Sequence, residues 1–303
     1  MLALVSGTGR SGTTLVAETL ARHPRTGFVS GVDDKLARLG LHGRFNGRLF
    51  RYAAQRPSGM RAFSESQALL EPERLRVAPS EAYQLLDRHV MAGFSAPCRD
   101  LLAEDLTPHI AGRLREFFAS REQAQGCDVF VQHLTGWPRV GLLRAAIPDL
   151  RVVHVVRDGR AVTNSWLQMG WWDGWRGPEQ WIYGPLPDDL RVEWEQHDRS
   201  FAVLAALGWR MLMGAYEDAR ELTPPGQWLD VRYEDLLEHP RETFAEVLDF
   251  LGLEWDHRFE AGYRRHEVSG GRAGSFRSEL TPAQLRAVEQ VLAKPLGRWG
   301  YDL

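Results

Sequence analysis

Five short apolar runs punctuate the chain: Leu2 to Ser6, Gly27 to Ser30, Val129 to His133, Val152 to Val156 and Trp228 to Val231. Runs of this length without strict polar alternation read as strands buried on both faces, as in a parallel sheet. Apolar residues recur at helical spacing in Leu15 to Arg22, Ser80 to Ala92, Pro108 to Ala124 and Thr243 to Leu251. Strand alternating with helix predicts an α/β fold of three layers, a central mostly parallel sheet flanked by helices, with ligands at the carboxyl ends of the strands. Residues 34–126, arginine-rich and full of turn residues, are expected to be a largely helical insertion over one sheet edge. Gly170 to Asp189 sets Trp171, Trp172, Trp175 and Trp181 among Gly177, Pro178, Gly184, Pro185 and Pro187. That mixture rejects a regular helix and predicts an aromatic loop, either packed on the core or walling an acceptor site.

At 303 residues and 44% hydrophobic content the chain can bury one sizeable core, so residues 1–303 are read as a single domain. A formal charge of −3 and a pI near 6.4 argue against a general nucleic-acid or membrane binder. The two cysteines, Cys98 and Cys127, make neither a metal-ligand pair nor a disulfide framework, so reduced thiols and no metal site are expected. The first strand starts almost at Met1, and no apolar run reaches spanning length. The expectation is a cytoplasmic protein without stable membrane insertion; oligomeric state is not legible.

Chemistry concentrates first in Gly7-Thr8-Gly9-Arg10-Ser11-Gly12-Thr13-Thr14, between the first strand and the first helix. Such a loop aims backbone N–H groups and the positive end of a helix at one point, which suits an anion. Three templates fit. The nucleotide-triphosphate loop G-x-x-x-x-G-K-[ST] fits except that Thr13 replaces the lysine, and the chain has only Lys35 and Lys294. The dinucleotide pattern G-x-G-x-x-G is met by Gly7, Gly9 and Gly12, with Asp33 or Asp34 about twenty residues on. In the third, Arg10 to Thr14 resemble at every position the Arg/Lys-Ser-Gly-Thr-Thr loop that cradles the 5′-phosphosulfate of PAPS in sulfotransferases.

A second stretch, Arg157-Asp158-Gly159-Arg160-Ala161-Val162 through Ser165, follows a buried strand and enters a helix. Arg157 and Ser165 offer a fork of donors and a hydroxyl to one more phosphate. This segment resembles the 3′-phosphate motif of PAPS-dependent sulfotransferases, with Arg and Ser at the family's spacing. Val231 to Leu236 resembles the family's strand-Tyr-Glu-Asp segment, which implies Tyr233 near the nucleotide. Gly274-Ser275-Phe276-Arg277 resembles the Gly-Asp-Trp-Lys loop of cytosolic sulfotransferases, with Phe276 and Arg277 at its Trp and Lys positions; the start of that loop falls on Ser269, Gly270 and Gly271, with Arg272 as a substitute cation. The resemblance covers residues 1 to about 30 and about 128 to 300. It implies a P-loop-type fold, PAPS as donor and PAP as product, contacts from Gly9, Arg10, Ser11, Gly12, Thr13, Thr14, Arg157, Ser165, Tyr233, Phe276 and Arg277, and no required metal. Residues 34–126 would then shape the acceptor site.

Transfer also needs compensation for charge on the leaving phosphate and a general base. Arg10 is assigned the first task. For the second, the Lys-Thr-His segment of the cytosolic enzymes falls without gaps on His133-Leu134-Thr135, so the family's histidine position holds Thr135. His133 is one candidate. Tyrosylprotein sulfotransferases, which share the Arg-Ser-Gly-Thr-Thr loop, place an acidic base after the second strand, where Asp33 and Asp34 stand; these aspartates equally suit a helix cap. The expected acceptor is a hydroxyl of a small molecule, glycan or lipid, not a nucleic acid. A P-loop kinase or NTPase, a nicotinamide enzyme and a non-catalytic adenosine-bisphosphate binder are the alternatives.

Overall fold

A computed structural model describes residues 1–54, 77–264 and 273–302. Ser269, Gly270, Gly271 and Arg272 lie outside the described residues. Five parallel strands, β1 (Leu2–Gly7), β2 (Thr26–Phe28), β3 (Val129–Thr135), β4 (Arg151–Val156) and β5 (Trp228–Arg232), form one sheet in the order β2-β3-β1-β4-β5. Each apolar run read from the sequence is one of them.

Alternation of side chains along the central strands divides the interior into cores on opposite faces. Leu2, Leu4, Phe130, Leu134 and Val152 join one cluster, beneath α4 (Tyr83–His89), α5 (Pro108–Gln125) and α6 (Val140–Ala146). Ala3, Val5, Val129, Val131, Val153 and Val155 face the other, under α1 (Thr13–Leu20), α11 (Pro240–Phe250) and α12 (His257–Tyr263). A third cluster joins α7 (Gly159–Leu167), α9 (Phe201–Glu221) and α14 (Pro282–Arg298) to the aromatic loop through the fully buried Trp166 and Trp209. Three layers follow, as expected.

The boundaries differ where side chains compete for the backbone. β2 ends at Phe28 because Ser30 caps α2 (Gly31–Lys35): its hydroxyl accepts from the Asp33 amide, and the Asp33 carboxylate accepts from the Ser30 amide at 3.0 Å. The helix expected from Ser80 begins only at Tyr83, since Ala82 sits at φ +59° and the Ser80 hydroxyl accepts from the Ala82 amide. Thr107 caps α5, and Gly126 closes it in the left-handed region. That helix, with α3 (Asn46–Ala54), packs over edge strand β2.

Candidate active site

The site is assembled at the carboxyl ends of β1, β3 and β4, where adjacent parallel strands stop together. Gly7 lies abreast of Thr135, and the amide of Gly136 donates to the Gly7 carbonyl at 3.0 Å. Gly9, Arg10 and Gly12 then take φ of +85°, +57° and +99°, and α1 starts at Thr13. Left-handed residues in a loop that feeds a helix turn successive N–H groups inward, forming an anion-binding concavity. Space demands glycine at two positions. A Cβ at Gly7 would stand 2.6 Å from the Val155 carbonyl oxygen, and one at Gly12 would stand 2.3 Å from the Tyr233 ring.

Around this loop the structure brings four sequence-predicted residues together. Arg157 donates through Nη1 to the Arg10 carbonyl at 2.9 Å, and its guanidinium lies 4.5 Å from the centre of the Tyr233 ring. Arg10 donates through Nε to the Ser165 hydroxyl at 3.0 Å. The two cationic positions are therefore contiguous rather than separated: Arg157 braces the backbone of the residue whose side chain reaches Ser165. Arg157 is nearly buried, so its charge acts in a medium that screens it less than water. Within the loop the contributions divide. Gly9, Arg10, Gly12, Thr13 and Thr14 line the cleft, whereas Ser11 is wholly buried and its hydroxyl points under the loop toward Gly7. Ser11 offers its amide, not its hydroxyl. The fit to a phosphorylated ligand rests on these features: inward amides, two arginines and no room for a Cβ.

The candidate bases sort by geometry. His133, on β3, also lines the cleft and shares a 2.9 Å hydrogen bond with the Thr13 hydroxyl through Nε2. Burial pushes its pKa below the ordinary value, against a smaller opposing pull from Glu81, so the imidazole is neutral near pH 7. Asp33 is a cap: its Oδ2 accepts from the Ser30 amide and hydroxyl and from the Asn46 side chain at 2.5 Å. Asp34 accepts from the Leu85 amide at 3.0 Å, and burial raises its pKa. Neither aspartate lines the cleft, although their neighbours Gly31 and Lys35 do. Phe276 is buried beneath α7 with Ala161 and Leu280, flanked by the guanidinium groups of Arg160 and Arg277 at 5.0 and 4.6 Å. Phe276 and Arg277 are likewise absent from the lining.

The cleft has a volume of about 810 Å³. One side is aromatic. Trp171 and Tyr183 line it, both against Trp166, with ring centres 6.2 and 4.9 Å away. The buried Trp166 indole donates to the Gly9 carbonyl at 3.4 Å, so the aromatic wall is tied to the anion loop. The tryptophan-rich loop thus divides its labour: Trp181 is buried, Trp175 faces solvent and Trp171 walls the cleft. Ser80, Glu81, Thr135 and Arg139 add polar groups to the lining. Sequence reasoning missed Glu81, Thr135 as a wall residue, Arg139, Trp166 and Tyr183. In the sequence, Thr135 stands only as the place of an absent histidine, and Glu81 belongs to no motif.

Arg139 is a structural clasp. It is fully buried and donates to the carbonyls of Phe94, Ser95, Thr135 and Trp137, which ties the end of β3 to the segment before α5. Its amide donates to Asp100 at 2.6 Å, as does that of Leu101 at 2.9 Å. Burial nevertheless raises the Asp100 pKa to about 6. An acid whose folded pKa exceeds its unfolded value binds more protons when folded, so stability falls as pH rises from about 4 to about 6. The difference is on the order of 3 kcal/mol. Asp100→Asn keeps an acceptor oxygen and removes the charge; thermal melts between pH 4 and 8 should show higher stability than wild type above pH 6 and no such fall. Parallel profiles for the two proteins would refute this.

Comparison with known proteins adds a family match and fold neighbours. A family model described as the sulfotransferase family matches residues 3–257. Carbohydrate sulfotransferase 2 of Homo sapiens is 27% identical over 206 residues, taking in 53% of this chain and 36% of that protein. The chain thus spans about a third of the length of that relative. Among solved structures, sulfotransferase STF9 from Mycobacterium avium superposes with a TM-score of 0.58 at 15% identity, covering 100% of this chain and 77% of that one. Sulfotransferase STF1 from Mycobacterium tuberculosis superposes with a TM-score of 0.52 at 17% identity, covering 97% and 76%. At such identities the likeness is one of fold.

Proposed function

The chain belongs to the sulfotransferase family, and we propose that it moves a sulfuryl group from PAPS to a hydroxyl of a carbohydrate acceptor. The observation that carries the donor assignment is the convergence of Arg10, Arg157, Ser165 and Tyr233 on one glycine loop. When bound, PAPS supplies an activated sulfuryl group whose departure leaves PAP. The chain's own residues supply charge and shape. The loop amides and Arg10 stabilise negative charge at the leaving phosphate, where preorganised donors act most strongly because they need no reorganisation. Arg157 and Ser165 hold the second phosphate, and Tyr233 keeps the Arg157 guanidinium oriented. Neutral His133, bonded to Thr13, adds a polar group beside the loop without adding charge.

The acceptor class is supported by the cleft wall. Trp171 and Tyr183 line the same cleft as Ser80, Glu81 and Thr135, a mixture of aromatic and polar groups that suits a ring with apolar C–H faces and a rim of hydroxyls. The similarity to a human carbohydrate sulfotransferase points the same way. Cytoplasmic residence belongs to the same proposal and is supported by Cys98 and Cys127, which are unpaired.

Thermal unfolding with PAP, ATP or NAD tests the donor, because a ligand that binds only the folded state raises apparent stability. PAP should stabilise the protein, and the other two should not. A panel of mono- and oligosaccharides incubated with radiolabelled PAPS then tests the acceptor. Equal stabilisation by ATP would sink the donor assignment, and labelling of none of the sugars while aromatic alcohols are labelled would sink the acceptor class.

A further inference from the structure

We propose that Glu81 is the general base for the acceptor hydroxyl, held in place by Thr135; this rests on the donor reading above. Thr135 closes β3 directly beside Gly7, at the lip of the anion loop, and its Cβ lies 3.8 Å from where a Cβ on Gly9 would stand. The Thr135 hydroxyl donates to Glu81 Oε1. Tyr83 fixes the same threonine from the other side: its hydroxyl donates to the Thr135 carbonyl at 2.8 Å and accepts from the Thr135 amide at 3.1 Å. Gln132, also on β3, donates to the Glu81 carbonyl at 3.0 Å. The carboxylate is therefore pinned at backbone and side chain to the strand end that borders the loop. Pinning of this kind keeps a base near its reacting position.

Among the described residues, no group donates to Glu81 Oε2, so one oxygen remains for a substrate hydroxyl. The carboxylate is half-buried and lines the cleft. The other candidates lack this combination. Asp33 is consumed by its cap, and Asp34 is turned to the amide of Leu85. His133 has Nε2 engaged by Thr13, and its Nδ1 is sealed from solvent and hence from the cleft. Glu81 lines the same cleft as Trp171 and Tyr183, the place for an acceptor held by both. In the step, the acceptor O–H proton passes to Oε2 while the acceptor oxygen bonds to sulfur. The sulfur–oxygen bond to the 5′-phosphate breaks, and its electron pair stays on PAP. Water serves as the simplest acceptor, giving inorganic sulfate.

The test uses the whole chain, radiolabelled PAPS with water as acceptor and with the sugar panel, and PAP-induced thermal stabilisation as a readout independent of turnover. Glu81→Gln should lower transfer and PAPS hydrolysis by roughly 10²–10⁴-fold while keeping the PAP shift. Glu81→Ala should recover part of its hydrolysis in formate, a small carboxylate that replaces the lost base. Undiminished hydrolysis in Glu81→Gln, or loss of its PAP shift together with turnover, would overturn the assignment. Absence of any PAP shift in the wild type would instead overturn the donor reading.

Discussion

Arg157→Ala is expected to abolish most of the stabilisation that PAP confers. In the free protein the guanidinium already holds the Arg10 carbonyl at 2.9 Å and lies over the Tyr233 ring at 4.5 Å, so it enters binding preorganised. Hydrogen bonds to charged groups contribute about 1.5–3 kcal/mol each, and a fork can make two. Loss of even one such pair weakens Kd on the order of a hundredfold. At a ligand concentration about a hundred times the wild-type Kd, binding adds ~2.7 kcal/mol of stability; a hundredfold weaker site leaves ~0.4 kcal/mol. Arg157→Lys keeps the charge but not the planar fork or the stacking, so it should recover only part of the shift. Melting curves of the three proteins with and without PAP measure this directly. A full PAP shift in Arg157→Ala would remove this residue from the donor site.

What was legible in the sequence follows from how local the information is. The anion loop is one contiguous stretch, and its glycines are where backbone geometry and crowding require them, as at Gly12 against Tyr233. Arg157 and Ser165 share a strand end and the helix after it, so their spacing alone brought them to one side. The strands were legible because parallel strands covered on both faces are apolar throughout. Order in the sheet was not, because it depends on crossovers. Glu81 was invisible for a related reason: it reaches the site only through contacts with Thr135 and Gln132, 54 and 51 positions away. Asp33 shows the opposite error. It stands after a strand, where an acidic base was expected, but a serine three residues earlier and Asn46 claim its carboxylate. Burial alone could not have separated the two, since a capping carboxylate and a catalytic one both leave bulk water; their partners separate them.

Arg10→Ala is expected to cost about 10²–10³-fold in turnover, the loss typical of removing one preorganised donor from developing negative charge. The side chain is exposed, yet it is not loose: Ser165 holds its Nε at 3.0 Å, and Arg157 holds its carbonyl. Because the charge it meets grows as the sulfur–oxygen bond breaks, PAP binding should weaken less than turnover falls. The backbone sets a necessary control. Arg10 sits at φ +57°, where alanine carries the same strain as arginine and glycine carries none. Arg10→Gly therefore relieves the loop while removing the same donor. If side-chain charge is what matters, Ala and Gly variants should fall together, and Arg10→Lys should keep an intermediate rate. Single-turnover assays with labelled PAPS, beside PAP binding by thermal shift, separate the effects. Wild-type turnover in Arg10→Gly would show that the loop amides suffice and that the guanidinium at the mouth of the cleft serves only to position Ser165.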